Sequence, residues 1–306
     1  MFPGVTTYHQ PVLLAAVLDA ARGAQRVVDA TLGDGGHAEA LRAQGAELLG
    51  IDRDPAAIQV ARARLGEQGV RYLEAVYSSD AALHTIESFH PDFILLDLGV
   101  SSRQLDREAS GFSFRPGVPL DMRMGGGGGT AAELLNAVSE DELEHWLAEY
   151  GDEPRARRLA REIVRRRERA PFQVSDDLVN AIRAVQGPRS GPADFARIFQ
   201  ALRIAVNDEL EGLARALPAF RDALTPGGAL AAISYHSGED RLVKQAFHDW
   251  SRACVCPPAQ PVCTCRGRPL GQAAPRGGMV PDAAEVAMNP RARSARLRVF
   301  RAASEA

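Results

Sequence analysis

Lysine is nearly missing from this sequence: Lys244 stands alone among 36 basic residues, and the rest are arginine. GC-rich coding accounts for such a bias without any functional reading. Cysteine is equally sparse, and its four copies all fall between Cys254 and Cys265. In a cytoplasmic chain that clustering suggests metal or redox chemistry before structural disulfides. No apolar run approaches the ~20 residues of a membrane span. The amino end also lacks a basic-then-apolar leader pattern. A soluble, cytoplasmic protein with no membrane partner is therefore expected. The net charge of −3 leaves no global basic field, so any nucleic-acid surface must be local. What the chain does have is 306 residues, 45% of them hydrophobic, enough for one sizeable core and a smaller second one.

The most informative stretch is Asp29-Ala-Thr-Leu-Gly-Asp-Gly-Gly-His37. It follows the apolar pair Val27-Val28 and precedes a helix-like segment, Ala38 to Ala43. Gly33, Gly35 and Gly36 suit a sharp strand–loop–helix turn over which a ligand can lie close to the backbone. The glycines alone fit a surface turn as well as a cofactor site. Further βα units follow. Leu48 to Ile51 reads as a strand ending at Asp52, placed to take a ribose diol or to cap the next helix. Val70 to Leu73 leads to Tyr77, and Phe93 to Asp97 is the uninterrupted apolar run of a central parallel strand. Upstream, Pro11 suits the first turn of a helix.

From about Leu105 the pattern changes to helices without strands. Thr130 and Ser139 begin capping boxes, and Ser175 reads as another cap. Eight arginines lie between Glu153 and Ala170, on a helix closed by Pro171. Phe195 to Leu217 reads as one long helix. The predicted architecture is α/β: a Rossmann-like core over 1–104 and 196–306, with an inserted helical domain at 105–195. Ala229 to Ile233 then supplies a fifth strand and Leu297 to Phe300 a last one.

Acidic Asp34 inside the glycine loop disfavours a pyrophosphate and suits a cofactor carrying a sulfonium and an ammonium. With the Leu224-Thr-Pro-Gly-Gly-Ala-Leu230 turn and Asp97, the chain resembles the class I S-adenosylmethionine-dependent methyltransferases. The resemblance becomes specific in Leu95-Leu-Asp-Leu-Gly-Val-Ser-Ser102, Gly111-Phe-Ser-Phe114 and Pro119-Leu-Asp-Met-Arg-Met124. It continues through Phe199-Gln-Ala-Leu-Arg-Ile204, Ser234-Tyr-His-Ser237 and Asn289-Pro-Arg-Ala-Arg-Ser294. Together with the glycine loop, these are similar to the bacterial 16S rRNA (cytosine-N4) methyltransferase family, small subunit methyltransferase H, also called MraW. Tyr235 stands where phenylalanine is expected, Gly238 where leucine is, and Arg103 where proline is common.

The resemblance implies S-adenosyl-L-methionine as cofactor and 16S rRNA within the small ribosomal subunit as partner. It implies cofactor contacts from Gly35, Gly36, His37, Asp52, Tyr77, Asp97 and Gln104, with Asp97 as catalytic residue. Phe112, Tyr235 and His236 are candidates for holding an extruded base, or are ordinary packing. The Arg155–Arg169 run is either an RNA-docking face or a solvated helix that pairs with its own glutamates. Arg291, Arg293, Arg296 and Arg298 suggest a second basic strip. Cys254-x-Cys256-x6-Cys263-x-Cys265 suits four-thiolate zinc or a set of reduced thiols. Three rivals remain: a DNA amino-methyltransferase, an NAD-dependent dehydrogenase and a non-catalytic assembly factor. Asp97-Leu-Gly-Val is not the Pro-Pro-aromatic sequence typical of the first. The oligomeric state is left open.

Overall fold

The computed structural model describes residues 11–100, 110–125, 127–257 and 260–304. The chain forms two compact units, Met1–Gly99 with Leu210–Ala306, and Val100–Glu209.

In the first unit, α1 (Leu14–Ala20) precedes β1 (Arg26–Asp29), α2 (Gly36–Ala43), β2 (Glu47–Asp52) and α3 (Pro55–Leu65). Then come β3 (Val70–Glu74), α4 (Asp80–Phe89) and β4 (Phe93–Asp97). The seven-stranded sheet has the order β3-β2-β1-β4-β5-β7-β6, with β5 at Ala229–Ser234, β6 at Gly271–Ala273 and β7 at Arg296–Ala302. β1 to β5 pair in parallel, while β7 runs antiparallel to both β5 and β6. This is the Rossmann-like sheet that the sequence predicts. β6 was not legible, because three residues with no apolar pattern give no periodic signal.

Strand alternation explains the continuous apolar runs. On β4, Phe93 and Leu95 enter one core and Ile94 and Leu96 the other. On β5, Ala229, Ala231 and Ile233 face the first core, and Leu230 and Ala232 the second. α1, α2 and α3 cover the first face through Val17, Leu41 and Ala61. The second is covered by α4, by a helix ending at Ala223 and by a helix over Ser237–Trp250, through Ile86, Phe220 and Phe247. A strand buried on both faces has no polar side, which is why β4 reads FILL before its terminal acid.

The second unit contains α5 (Ala131–Ala137), α6 (Glu140–Glu149), α7 (Ala156–Arg167), α8 (Ser175–Gln186) and α9 (Pro192–Asn207). Leu135, Leu147, Leu159, Ile163, Ile182 and Ile198 fill its own core. Thr130 makes the reciprocal cap: its Oγ1 accepts from the Glu133 N–H at 3.1 Å, and Glu133 accepts from the Thr130 N–H at 2.8 Å. Ser175 does not cap α8. Asp177 accepts the Val174 N–H instead, and buried Ser175 donates to the Arg115 carbonyl. The expected long helix is two, because Asp208 adopts φ 53° and ends α9 before α10 (Glu209–Ala223) begins. In the first unit α11 (Ser237–Trp250) follows β5, and α12 (Ala283–Met288) precedes β7. α1 starts at Leu14 rather than Pro11, after Leu13 at φ 55°.

Candidate active site

Parallel register puts three acids at one end of the sheet. Asp29 pairs with Leu95 on β4 and with Gly50 on β2, so Asp97 and Asp52 each lie two residues further along their strands. Strand order reverses between β1 and β4, the position where an open α/β sheet leaves a crevice beyond its strand ends.

The glycine loop is fixed by its backbone. Gly35, at φ 78°, caps α2 in the left-handed region. A Cβ on Gly36 would lie 2.8 Å from the Pro11 ring. Asp52 ties the loop to the second strand, since its Oδ2 accepts the Gly33 N–H at 2.7 Å and its Oδ1 the Asp54 N–H at 2.8 Å. The capping role weighed for Asp52 belongs to Asp54, which accepts from the Ala56 N–H.

Asp97 is held through both its backbone and its side chain. Its backbone N–H donates to Thr31 Oγ1 at 2.6 Å, and its Oδ1 accepts the Tyr235 hydroxyl at 2.9 Å. Its Oδ2 lies 3.5 Å from His37 Nδ1. Burial raises the Asp97 carboxyl above its ordinary value, opposed by His37 and by the Tyr235 hydrogen bond. The Tyr235 hydroxyl is itself pushed well up, by burial and by Asp97. His37 has a defined tautomer: a carbonyl can only accept, so the Val12 oxygen, 2.9 Å away, requires a proton on Nε2. Nδ1 of a neutral ring would then face Asp97 lone pair to lone pair. The contact is attractive only when a proton resides on Nδ1 or on the carboxyl. Behind this pair, Asp29 is 1% exposed, and burial lifts its carboxyl to about 7 against the pull of His37 and the Thr31 N–H.

The structure thus brings Gly35, Gly36, His37, Asp52 and Asp97 to one end of the sheet. The His37 side chain is occupied by Val12 and Asp97 and is buried. Tyr77 is half-buried, with its ring 6.2 Å from Phe220. Gln104 lies outside the described residues. Phe112 packs against the core of the second unit. Tyr235, read as a base-stacking candidate, lies against Gly99, where an added Cβ would be 3.3 Å from its ring. His236 is the N-cap of α11, with Nδ1 accepting from the Glu239 N–H. Sequence reasoning gave no role to Asp29, Thr31 or Glu239. Buried Glu239 accepts the Tyr235 N–H at 2.8 Å, which orients the residue that holds Asp97. The signal for Asp29 was available: an acid closing an apolar strand is a burial problem the fold must answer.

The basic stretches are more occupied than their sequence suggests. Arg165 and Arg166 pair with Glu162, Arg161 lies 3.6 Å from Glu140, and Arg155 and Arg167 donate to carbonyls. Exposed Arg157, Arg158 and Arg169 make no ion pair among the described residues. The strip at Arg291–Arg298 is not a uniform basic surface. Arg298 is buried and forms a fork on Asp240 at 2.7 and 3.0 Å, and Arg296 donates to the Gly277 carbonyl.

Comparison with known proteins bears directly on this geometry. The model of the MraW methylase family matches residues 6–303. A protein of Gemmatimonas aurantiaca named ribosomal RNA small subunit methyltransferase H is 59% identical over 304 residues, covering 97% of this chain and 96% of that one. A Rubrobacter xylanophilus protein of the same name is 47% identical over 310 residues, covering 97% of each chain. No helix among the described residues is long and apolar enough to cross a membrane. With the glycine loop, the acid on β4 and a match over nearly its whole length, this chain belongs to the MraW methylase family.

Proposed function

We propose that this protein transfers the methyl group of S-adenosylmethionine to the exocyclic N4 of a decoding-centre cytidine in 16S rRNA, acting in the cytoplasm on the small ribosomal subunit. The observation that carries the reading is Asp97, held at the end of β4 between the Tyr235 hydroxyl and His37 beside the glycine loop.

The residues suit the cofactor. Asp52 and Asp97 place acidic groups at the strand ends, which favours a sulfonium and an ammonium and opposes a pyrophosphate. When bound, S-adenosylmethionine supplies an electrophilic methyl group. Gly35 and Gly36 let backbone amides approach its methionine part, and the Asp52 carboxylate, with about four lone-pair sites, suits the ribose hydroxyls as acceptor. Tyr77 offers an apolar face to adenine and Gln104 an amide to polar edges.

Cytosine N4 is a poor nucleophile because its lone pair is delocalised into the ring. Asp97, or the Leu98 carbonyl, accepts one N4 hydrogen and so orients the lone pair for attack. After transfer the nitrogen is cationic, and its proton passes to Asp97 or to water. The Tyr235 hydrogen bond favours the Asp97 carboxylate despite its burial. No covalent nucleophile is required. The unit over Val100–Glu209 recognises RNA, with Arg157, Arg158 and Arg169 among its exposed cations.

The test uses methyl-labelled S-adenosylmethionine with small subunits lacking the modification, with naked rRNA and with duplex DNA. Nucleosides from each are analysed by mass spectrometry. Labelled N4-methylcytidine from RNA is the expected result. Label only in DNA, or none from protein that binds the cofactor, overturns the reading.

A further inference from the structure

Between α11 and β6, over residues 251–270, no described residue is fully buried, and Val255 and Val262 are exposed. An excursion of this length without a core has no apolar reason to converge on one point. It nevertheless carries all four cysteines, and their four Sγ atoms lie within 4.8 Å of one another. Cys263 Sγ is 3.5 Å from Cys265, 3.7 Å from Cys254 and 4.0 Å from Cys256.

These separations exclude disulfides, whose sulfurs are about 2 Å apart. They match the ~3.8 Å edge of a tetrahedron of thiolates ~2.3 Å from a zinc ion. Four neutral thiols are weak hydrogen-bonding partners and gain little by meeting at an exposed site. The frame around them is defined as well. The Val255 N–H points at Cys265 Sγ at 3.4 Å, the kind of amide donor that supports a metal-bound thiolate. Arg266 donates to the Asp249 and Arg252 carbonyls and closes the stem of the loop onto the end of α11.

We propose that Cys254, Cys256, Cys263 and Cys265 form a four-thiolate zinc centre that holds the 251–270 loop in place of a hydrophobic core. An all-sulfur set selects against magnesium, calcium and manganese. With all four positions supplied by protein, the centre is closed and structural. It stands independently of the methyl-transfer reading.

The full chain, purified under reductant, loaded with zinc sulfate and desalted, should carry one zinc per chain by elemental analysis. A thiol-binding mercurial should release that zinc. Cobalt loading should give the visible absorption of a tetrahedral thiolate site. The C256S/C263S double variant should carry background zinc while its far-ultraviolet circular dichroism stays that of the parent. Zinc should slow tryptic cleavage at Arg252 and Arg266 by about tenfold, as expected when local opening is suppressed. A parent protein without zinc after loading, one that holds iron or copper instead, or a double variant with undiminished zinc overturns the proposal.

Discussion

Asp97 carries opposing demands: burial favours its protonated form, and its proposed task requires the ionised one. Asp97→Ala is expected to abolish methyl transfer while the protein still melts cooperatively; retained activity would place the chemistry elsewhere. Tyr235→Phe removes a hydrogen bond that favours the carboxylate. Without it the Asp97 carboxyl should rise further, moving the acid limb of the pH–rate profile to higher pH with activity retained at high pH. An unmoved limb would separate that limb from Asp97. Asp29 permits a stability test. Its folded value, about 7, exceeds the ordinary 3.8, so the folded state holds the proton more tightly than the unfolded chain. Its contribution to stability is therefore fully present below the unfolded value and is lost as pH rises through about 7. Asp29→Asn should flatten the fall in unfolding free energy across that window, as read by urea denaturation at several pH values.

Elements differ in how plainly the sequence announces them. β4 was legible because burial on both faces leaves only apolar residues before its acid, and the Thr130 box because its two hydrogen bonds are local. The break at Asp208 was not. Apolar spacing continues through it from Leu202 to Leu213, and a left-handed aspartate leaves no mark in a periodicity. The Asp97–Tyr235 contact joins residues 138 apart, so the motifs on either side could be recognised while their bond could not. For α7 and its flanks, from Arg155 to Arg169, the sequence offered eight arginines, but most meet a partner within the second unit. Reversing Arg157, Arg158 and Arg169 to glutamate should weaken small-subunit binding and reduce its salt slope by about 0.7 for each phosphate no longer neutralised. Cofactor affinity should be unchanged. Subunit affinity and salt slope that stay as they were would return α7 to a solvated helix.

For the whole molecule, the sheet defines the fold and is assembled from distant parts of the chain. Phe93 pairs with Ala229 and Ala229 with Arg301, so β4 meets one neighbour only after the entire second unit has intervened in sequence. That order has a consequence during synthesis. When β4 has left the ribosome, β1, β2 and β3 are available to it, but its other flank stays an open strand edge until β5 emerges. At typical elongation rates the interval is on the order of 10 s. Through that time the nascent chain exposes one unpaired edge of a strand that is apolar up to its terminal acid, the kind of edge that invites wrong pairing. Ribosome-bound chains stalled just before Ala229 are therefore expected to hold chaperone and to be cut readily within residues 93–97, and chains stalled beyond β7 to resist. Equal protection at both lengths would mean that β4 is shielded before its partner is made.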